Sequence, residues 1–283
     1  MAFMSAAGAS LKGKTYVVTG STDGIGQHTA VSLAKAGGNV IVHGRTKERV
    51  DASTEKVRQA SSGGWVKSYL ADLSSLDSVR HFAEALRKDH DSLDVLINNA
   101  GVFEPKYRKT ADGFEMTWAV NVQAPFLLTS MLFDRVKERI VIVSSMSAGS
   151  HIDFDNLNQE KGYSSHDAYS LSKLAEMAIT SQLANRVGTK LKSRRPTVNC
   201  LDPGNISTKM LRTGWGMSGT PIHQANGVIK LAADPSLDDV TGRYFMYDEP
   251  SRMPREATDV NIQQKLWDIL EQQTGARWPA NIA

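Results

Sequence analysis

The sequence predicts an α/β protein built on a doubly wound parallel sheet. Two features carry that prediction. Short β-branched runs alternate with longer segments of helical period along the 283 residues. The runs are also almost unbroken in apolar residues, as in parallel strands covered by helices on both faces. No internal repeat, low-complexity tract or shift of composition interrupts the alternation, which favours one domain over residues 1–283.

The first strand is expected at 15–19, where TYVVT is rich in β-branched residues, and a glycine-rich turn leads into a helix near 24–36. VIVH marks a second strand at 40–43, followed by a helix near 47–60. The third pair is a strand at 66–70 and a helix near 75–89. A fourth strand at 95–98 ends in NNAG, and helical period returns near 110–135. IVIVS at 140–144, TVNCL at 197–201 and YFM at 244–246 complete the strands, with helices near 167–188, 222–233 and 256–273. Two stretches break the rhythm. Residues 147–166 carry the polar DFDNLNQEKGY, and residues 205–220 set Met210, Leu211, Trp215 and Met217 among glycines. The second reads as a mobile apolar flap over a substrate, since long loops inside compact domains are often functional lids.

Composition limits the function classes. The chain is 41% hydrophobic and 22% charged, with a formal net charge of +3, too weak to argue for nucleic acid. The basic run Lys190, Lys192, Arg194 and Arg195 reads as a solvated helix end and turn. The single cysteine, Cys200, excludes an internal disulfide and reads as a small core side chain. The histidines show no HExxH or similar metal spacing, so no metal is expected. Residues 1–10 lack the basic start and apolar core of a signal peptide and are expected to be flexible. No stretch nearby approaches the roughly 20 apolar residues of a membrane span, so no anchor and a cytoplasmic location are expected. The sequon Asn205-Ile206-Ser207 is then a chance match.

The motifs point to a dinucleotide. TGSTDGIG runs directly from the first strand into the first helix, and its Gly20, Ser21, Thr22, Asp23, Gly24, Ile25 and Gly26 are candidate phosphate contacts. Glycines let the chain bend sharply and approach a pyrophosphate, while free N–H groups at the helix start face the phosphates. Arg45 stands where an acidic residue would select NAD by gripping the ribose, with Thr46 and Lys47 beside it. A guanidinium matches a 2′-phosphate, so NADP(H) is expected over NAD(H), although Asp23 brings a negative charge toward the same ribose. Asn99, Ala100 and Gly101 at the carboxyl end of the fourth strand belong on the ligand-binding rim. Asp72 and Leu73 follow the third strand, where Asp72 either caps the next helix or contacts adenine.

Catalytic chemistry is suggested by Tyr169 and Lys173, four residues apart in AYSLSK and therefore on one helix face. A fixed positive charge beside a phenol favours the phenolate. Moving a tyrosine from its ordinary value of about 10 by about three units takes roughly 4 kcal/mol, so one lysine needs help from a charged cofactor. Upstream lies the serine pair Ser144 and Ser145.

Together TGSTDGIG, NNAG, Asn121 in AVNV, Ser145 in IVIVSS, AYSLSK and PGNIST resemble the short-chain dehydrogenase/reductase superfamily over residues 11–275. NLNQEKGY is similar to the retinol dehydrogenase-like, NADP-dependent subgroup. The resemblance implies a Rossmann fold and an oxidoreductase that interconverts a carbonyl compound and an alcohol. It implies Tyr169 as acid/base, Lys173 to lower the Tyr169 pKa and bind the nicotinamide ribose, and Ser145 to hold the substrate oxygen. Asn121 would position a water linking Lys173 to solvent. Pro203, Gly204, Ile206 and Thr208 would sit at the carboxamide. Retinoid specificity does not follow, because the segment after Ser145 is polar and no hydrophobic anchor is seen. Relatives often form dimers or tetramers through the helices near 110–135 and 167–188. The alternative to an enzyme is a catalytically idle dinucleotide-binding sensor or partner-binding module, which would usually have lost the tyrosine or lysine that this chain keeps.

Overall fold

The computed structural model describes residues 11–188, 196–280 and 282, so the N-terminal decapeptide and the basic run at 190–195 lie outside the described residues. Strands β1 (Thr15–Val18), β2 (Asn39–Gly44), β3 (Val66–Leu70) and β4 (Leu93–Asn98) alternate with helices α1 (Gly24–Lys35), α2 (Lys47–Ala60) and α3 (Leu76–Asp89). After β4 come a short helix α4 (Met116–Trp118), a π-helical turn (Ala119–Gln123) and α5 (Ala124–Leu132). Then follow β5 (Val136–Val143), the long helix α6 (Ser165–Val187), β6 (Thr197–Asp202), α7 (Lys209–Trp215) and α8 (Gly227–Ala233). The chain ends with β7 (Tyr244–Met246), β8 (Glu249–Ser251), α9 (Arg255–Thr258) and α10 (Val260–Thr274).

The strands form one eight-stranded sheet in the order β3-β2-β1-β4-β5-β6-β7-β8. All neighbours are parallel except the final β7–β8 hairpin. The unbroken apolar strands now have their physical reason. Successive side chains point to opposite faces, and both faces are covered. Tyr16, Val18, Val42 and Ile97 pack with α1, α2 and α8 on one side, while Val17, Ile41, Leu96 and Ile142 pack with α3, α5, α6 and α10 on the other.

The strand order reverses between β1 and β4, and in such sheets the crevice outside the carboxyl ends at that point receives ligands. Caps fix where the surrounding helices begin. Asp23 accepts from the Gly24 amide to start α1, and Ser164 accepts from Asp167 to start α6.

Expected helices are interrupted, and of the two alternatives for Asp72 the capping one falls. Residues 110–135 do not form one helix: a hairpin-like bridge pairs Lys109 with Glu115, and the helix behind it is widened by the π turn around Asn121. Glu115 causes the late start, because its buried carboxylate accepts from the Thr117 and Trp118 amides. The helix expected at 222–233 is likewise split into a 3₁₀ turn, Ile222–Gln224, and α8. Asp72 is not the cap of α3. Ser75 is, and Asp72 instead accepts from the Ser74 amide and hydroxyl. The region 205–220 carries a helix of its own, and its two ends are clipped together where the Ser207 amide bonds Thr220 and the Thr220 amide bonds Asn205.

Candidate active site

A cleft of about 330 Å³ opens at the β1–β4 reversal. Its floor is the glycine turn. Gly20 has a left-handed φ of +64°, and a Cβ there would meet the Ala100 backbone at 2.8 Å. A Cβ on Gly26 would stand 2.4 Å from Asn99 Nδ2 and 2.5 Å from the Gly20 carbonyl. Only glycine allows the turn to lie this close to β4. Asn99 and Thr19 sew the two motifs together: Asn99 Nδ2 donates to the Thr19 carbonyl at 2.8 Å, and Thr19 Oγ1 accepts from the Asn99 and Ala100 amides, both at 3.0 Å. Of the predicted contacts, Gly20, Thr22, Asp23, Gly24, Ile25 and Gly26 line the cleft, as do Asn99, Ala100, Gly101, Asp72 and Leu73. Ser21 does not. Its buried hydroxyl donates to the Val18 carbonyl and accepts from the His43 amide, so it braces the turn from behind.

His43 is one residue that sequence reasoning missed. Its Nδ1 accepts from the Gly20 amide at 3.1 Å, and its ring stacks on Phe82. Burial pushes its pKa down to about 4, so the imidazole stays neutral and can accept.

At the outer end of the cleft stand Arg45, Arg49, Asp23 and Lys209. Arg49 and Lys209 both pair with Asp23, at 3.0 and 3.3 Å. Burial raises the Asp23 carboxyl, but the Gly24 amide and these two cations outweigh it and hold it below the ordinary range. The charge that spoke against a 2′-phosphate is thus compensated. Arg45 makes no ion pair among the described residues. Arg49, four residues beyond Arg45, is the second arginine of HGRTKER, and the sequence alone did not single it out. Thr46 lies off the cleft, as the N-cap residue of α2.

At the inner end α6 brings Tyr169 and Lys173 to the cleft wall, with Ser144 opposite. Ser144 Oγ is committed to the Lys173 carbonyl at 2.9 Å, whereas the Ser145 hydroxyl stands beside the Tyr169 phenol and favours its ionised form. Lys173 Nζ lies 5.4 Å from the Tyr169 ring centre. It donates to the Val143 carbonyl at 2.9 Å and to the Glu176 carboxylate at 2.9 and 3.0 Å. Burial raises the Tyr169 pKa; the Lys173 ammonium pulls it down, Glu176 pushes it back up, and the outcome stays above the ordinary value. The single lysine does not activate the phenol by itself, as the sequence arithmetic implied. Asn121 is fully buried: Oδ1 accepts from the Val102 amide at 2.8 Å, which leaves it a second lone pair, while both Nδ2 hydrogens are used, on the Val102 carbonyl and on Ser172 Oγ.

The flap residues divide. Pro203 and Thr208 line the cleft, and Thr208 Oγ1 caps α7 through the Leu211 amide. Gly204 and Ile206 do not line it; Ile206 is buried in its bridge to Thr220. The tip of α7 puts Trp215 edge-on to Tyr169 at 5.3 Å, and Phe103 and His166 complete the aromatic group at 5.2 and 5.4 Å from Trp215. Phe103 and His166 carried no signal in the sequence, because contacts between separate loops leave no spacing pattern.

The geometry is that of a dinucleotide cleft with a tyrosine–lysine pair at its inner end. Residues 14–216 match the short chain dehydrogenase family, and the chain belongs to it. It is 37% identical to retinol dehydrogenase 14 of Mus musculus over 295 residues, covering 94% of this chain and 87% of that one. It is 32% identical to polyprenol dehydrogenase of Homo sapiens, covering 92% and 84%. A crystal structure of a Mycobacterium paratuberculosis protein matches with a TM-score of 0.78 and 30% identity over 95% of this chain and 96% of that one. A short chain dehydrogenase of Burkholderia cenocepacia, solved in complex with NADP, matches with a TM-score of 0.68 and 25% identity, over 85% and 98%. The protein is therefore an oxidoreductase of the retinol dehydrogenase-like group, acting on alcohols or carbonyl compounds with NAD(P). No helix among the described residues is long and apolar enough to cross a membrane.

Proposed function

We propose that the protein is an NADP(H)-dependent oxidoreductase that interconverts an apolar carbonyl compound and its alcohol, with Tyr169 as the acid/base. The observation that carries this reading is the placement of Tyr169 and Lys173 at the inner end of the cleft whose floor is the glycine turn, with Ser145 beside the phenol just off the cleft wall. The cofactor supplies or accepts the hydride. In reduction the Tyr169 hydroxyl gives its proton to the developing alkoxide, and Ser145 donates a hydrogen bond to the same oxygen. The Lys173 ammonium stabilises the phenolate left behind. In alcohol oxidation the same groups act in reverse.

Three features support NADP(H): Arg45 unpaired on the cleft wall, Arg49 beside it, and Asp23 compensated by Arg49 and Lys209. The NADP complex of the Burkholderia relative points the same way. The aromatic group around Tyr169 supports an apolar substrate. Retinol and polyprenol, named for two relatives, are both apolar alcohols.

The test is NADPH consumption with octanal, benzaldehyde and all-trans-retinal, repeated with NADH. Turnover of at least one aldehyde with a lower KM for NADPH is expected, and Tyr169→Phe should lose about 10²- to 10⁴-fold in rate while binding NADPH unchanged. A clear NADH preference would refute the cofactor assignment, and a fully active Tyr169→Phe enzyme would refute the mechanism.

A further inference from the structure

Glu176 sits on α6 one turn beyond Lys173, inside the otherwise apolar run LAEMAI. Its side chain is only 4% exposed, as is that of Lys173. An ammonium has three hydrogens. Two are taken by the two Glu176 oxygens, at 2.9 and 3.0 Å, and the third by the Val143 carbonyl at 2.9 Å. None remains for a ribose hydroxyl unless one of these bonds is released. The pair is also electrically neutral as a unit while Glu176 is ionised, so the positive charge beside the Tyr169 ring is largely cancelled.

Resting on the acid/base reading of Tyr169, we propose that Glu176 is a positioning residue for the reaction. Its carboxylate holds and neutralises the Lys173 ammonium, and thereby sets how strongly Tyr169 is driven toward phenolate.

Among the described residues Glu176 has no ion-pair partner but Lys173. On its own helix it faces Lys173 and, more distantly, Tyr169. Just after β5 the Ser144 hydroxyl lies near it, with its hydrogen given to the Lys173 carbonyl. From β6 Cys200 feels its charge, and Asp202 adds a second carboxyl to the field on Lys173 and Tyr169. Tyr244 on β7 faces Asp202 and Cys200. Toward α5 and the C-terminal segment the small cavity beside it is lined, among the described residues, by groups that do not titrate, including Phe126, Thr129, Ile142 and Trp278. Burial raises the Glu176 carboxyl to about 7 against the pull of Lys173, which places its proton exchange within the working range of an enzyme. A protonated Glu176 frees the ammonium to act on Tyr169 and on a bound ribose; an ionised one restrains it.

The test reads Tyr169 directly and needs no substrate. The near-ultraviolet tyrosinate band of the NADP⁺-loaded protein is titrated, and the Tyr169 contribution is isolated by subtracting the matching Tyr169→Phe protein. An opposite charge within about 4–6 Å shifts an ionisation by 1–3 units, so Glu176→Gln should lower the Tyr169 midpoint by at least about one pH unit. Glu176→Asp keeps the charge but draws it back by one methylene, and should give a smaller fall in the same direction. Identical midpoints in wild type and Glu176→Gln overturn the proposal. Should the Gln variant not fold, an Asp variant that titrates with wild type overturns it alone. The two readings fail separately. An active Tyr169→Phe enzyme removes the acid/base assignment, whereas an inactive one combined with unmoved midpoints removes only the role of Glu176.

Discussion

The two ends of the cleft both rely on charge, and they use it in opposite ways. At the outer end Asp23, Arg49 and Lys209 are about half or more exposed, and their pairs are open to salt and solvent. At the inner end Lys173 and Glu176 are almost wholly buried, in bonds that leave no hydrogen of the ammonium free. Exposed pairs are weak and screened, so they can discriminate a phosphate without committing the fold. A buried pair is expensive to desolvate and strongly destabilising to break, so it commits the fold and the chemistry together. On the proposed function, binding selectivity and reactivity are thereby separated along one groove.

The largest effect should come from breaking the inner pair on one side. Lys173→Met leaves Glu176 buried without its cation, and a loss of about 3–5 kcal/mol in unfolding free energy is expected above neutral pH. The double variant Lys173→Met/Glu176→Met should recover most of that loss in a denaturant titration, although neither protein will turn over substrate. If the single and double variants are equally unstable, the pair does not act as a unit.

His43 gives the next effect. The folded imidazole stays neutral down to a pKa of about 4, whereas the unfolded chain protonates at its ordinary value of about 6.5. The unfolded state takes up the proton first, so stability falls as pH drops from about 6.5 to about 4 and levels off below. That interval corresponds to about 3 kcal/mol. Glu176 and Asp202, both raised by burial, act in the opposite direction over part of the same range. The measurement is therefore the difference between wild type and His43→Gln, which should open only below about pH 6.5.

The outer end should respond more gently. Arg49→Ala removes one cation from Asp23 and from the space beside Arg45, and a rise in KM for NADPH of about tenfold is expected, with KM for NADH unchanged. The effect should shrink in high salt; an equal loss with both cofactors would exclude a phosphate role. Smallest of all, Lys209→Ala breaks an exposed pair worth at most about 1 kcal/mol, and should leave stability within error while altering KM for NADPH by less than about fivefold.

Much of this was legible in the chain. Parallel strands announce themselves because both faces are buried, and all the expected strands are present within a few residues. The hairpin strand β8 was missed, since Glu249, Pro250 and Ser251 are exposed and carry no apolar pattern. Local signals failed where a distant partner intervened. The helix through Asn121 starts late because of Glu115 and widens where the Asn121 side chain binds the Val102 backbone. Glu176 was overlooked for a related reason. Helix α6 is buried around most of its circumference, so periodicity singles out no face, and the one available sign was an acid inside an apolar run.

The amino-acid sequence by itself determined the alternation of strand and helix, the glycine turn and the tyrosine–lysine spacing, because each depends on neighbours within one or two turns of chain. Only the tertiary structure decided which serine faces the phenol, which cations attend Asp23 and what neutralises Lys173. Those outcomes depend on side chains that approach from separate elements, and on burial, which turns an ordinary lysine and glutamate into a matched pair.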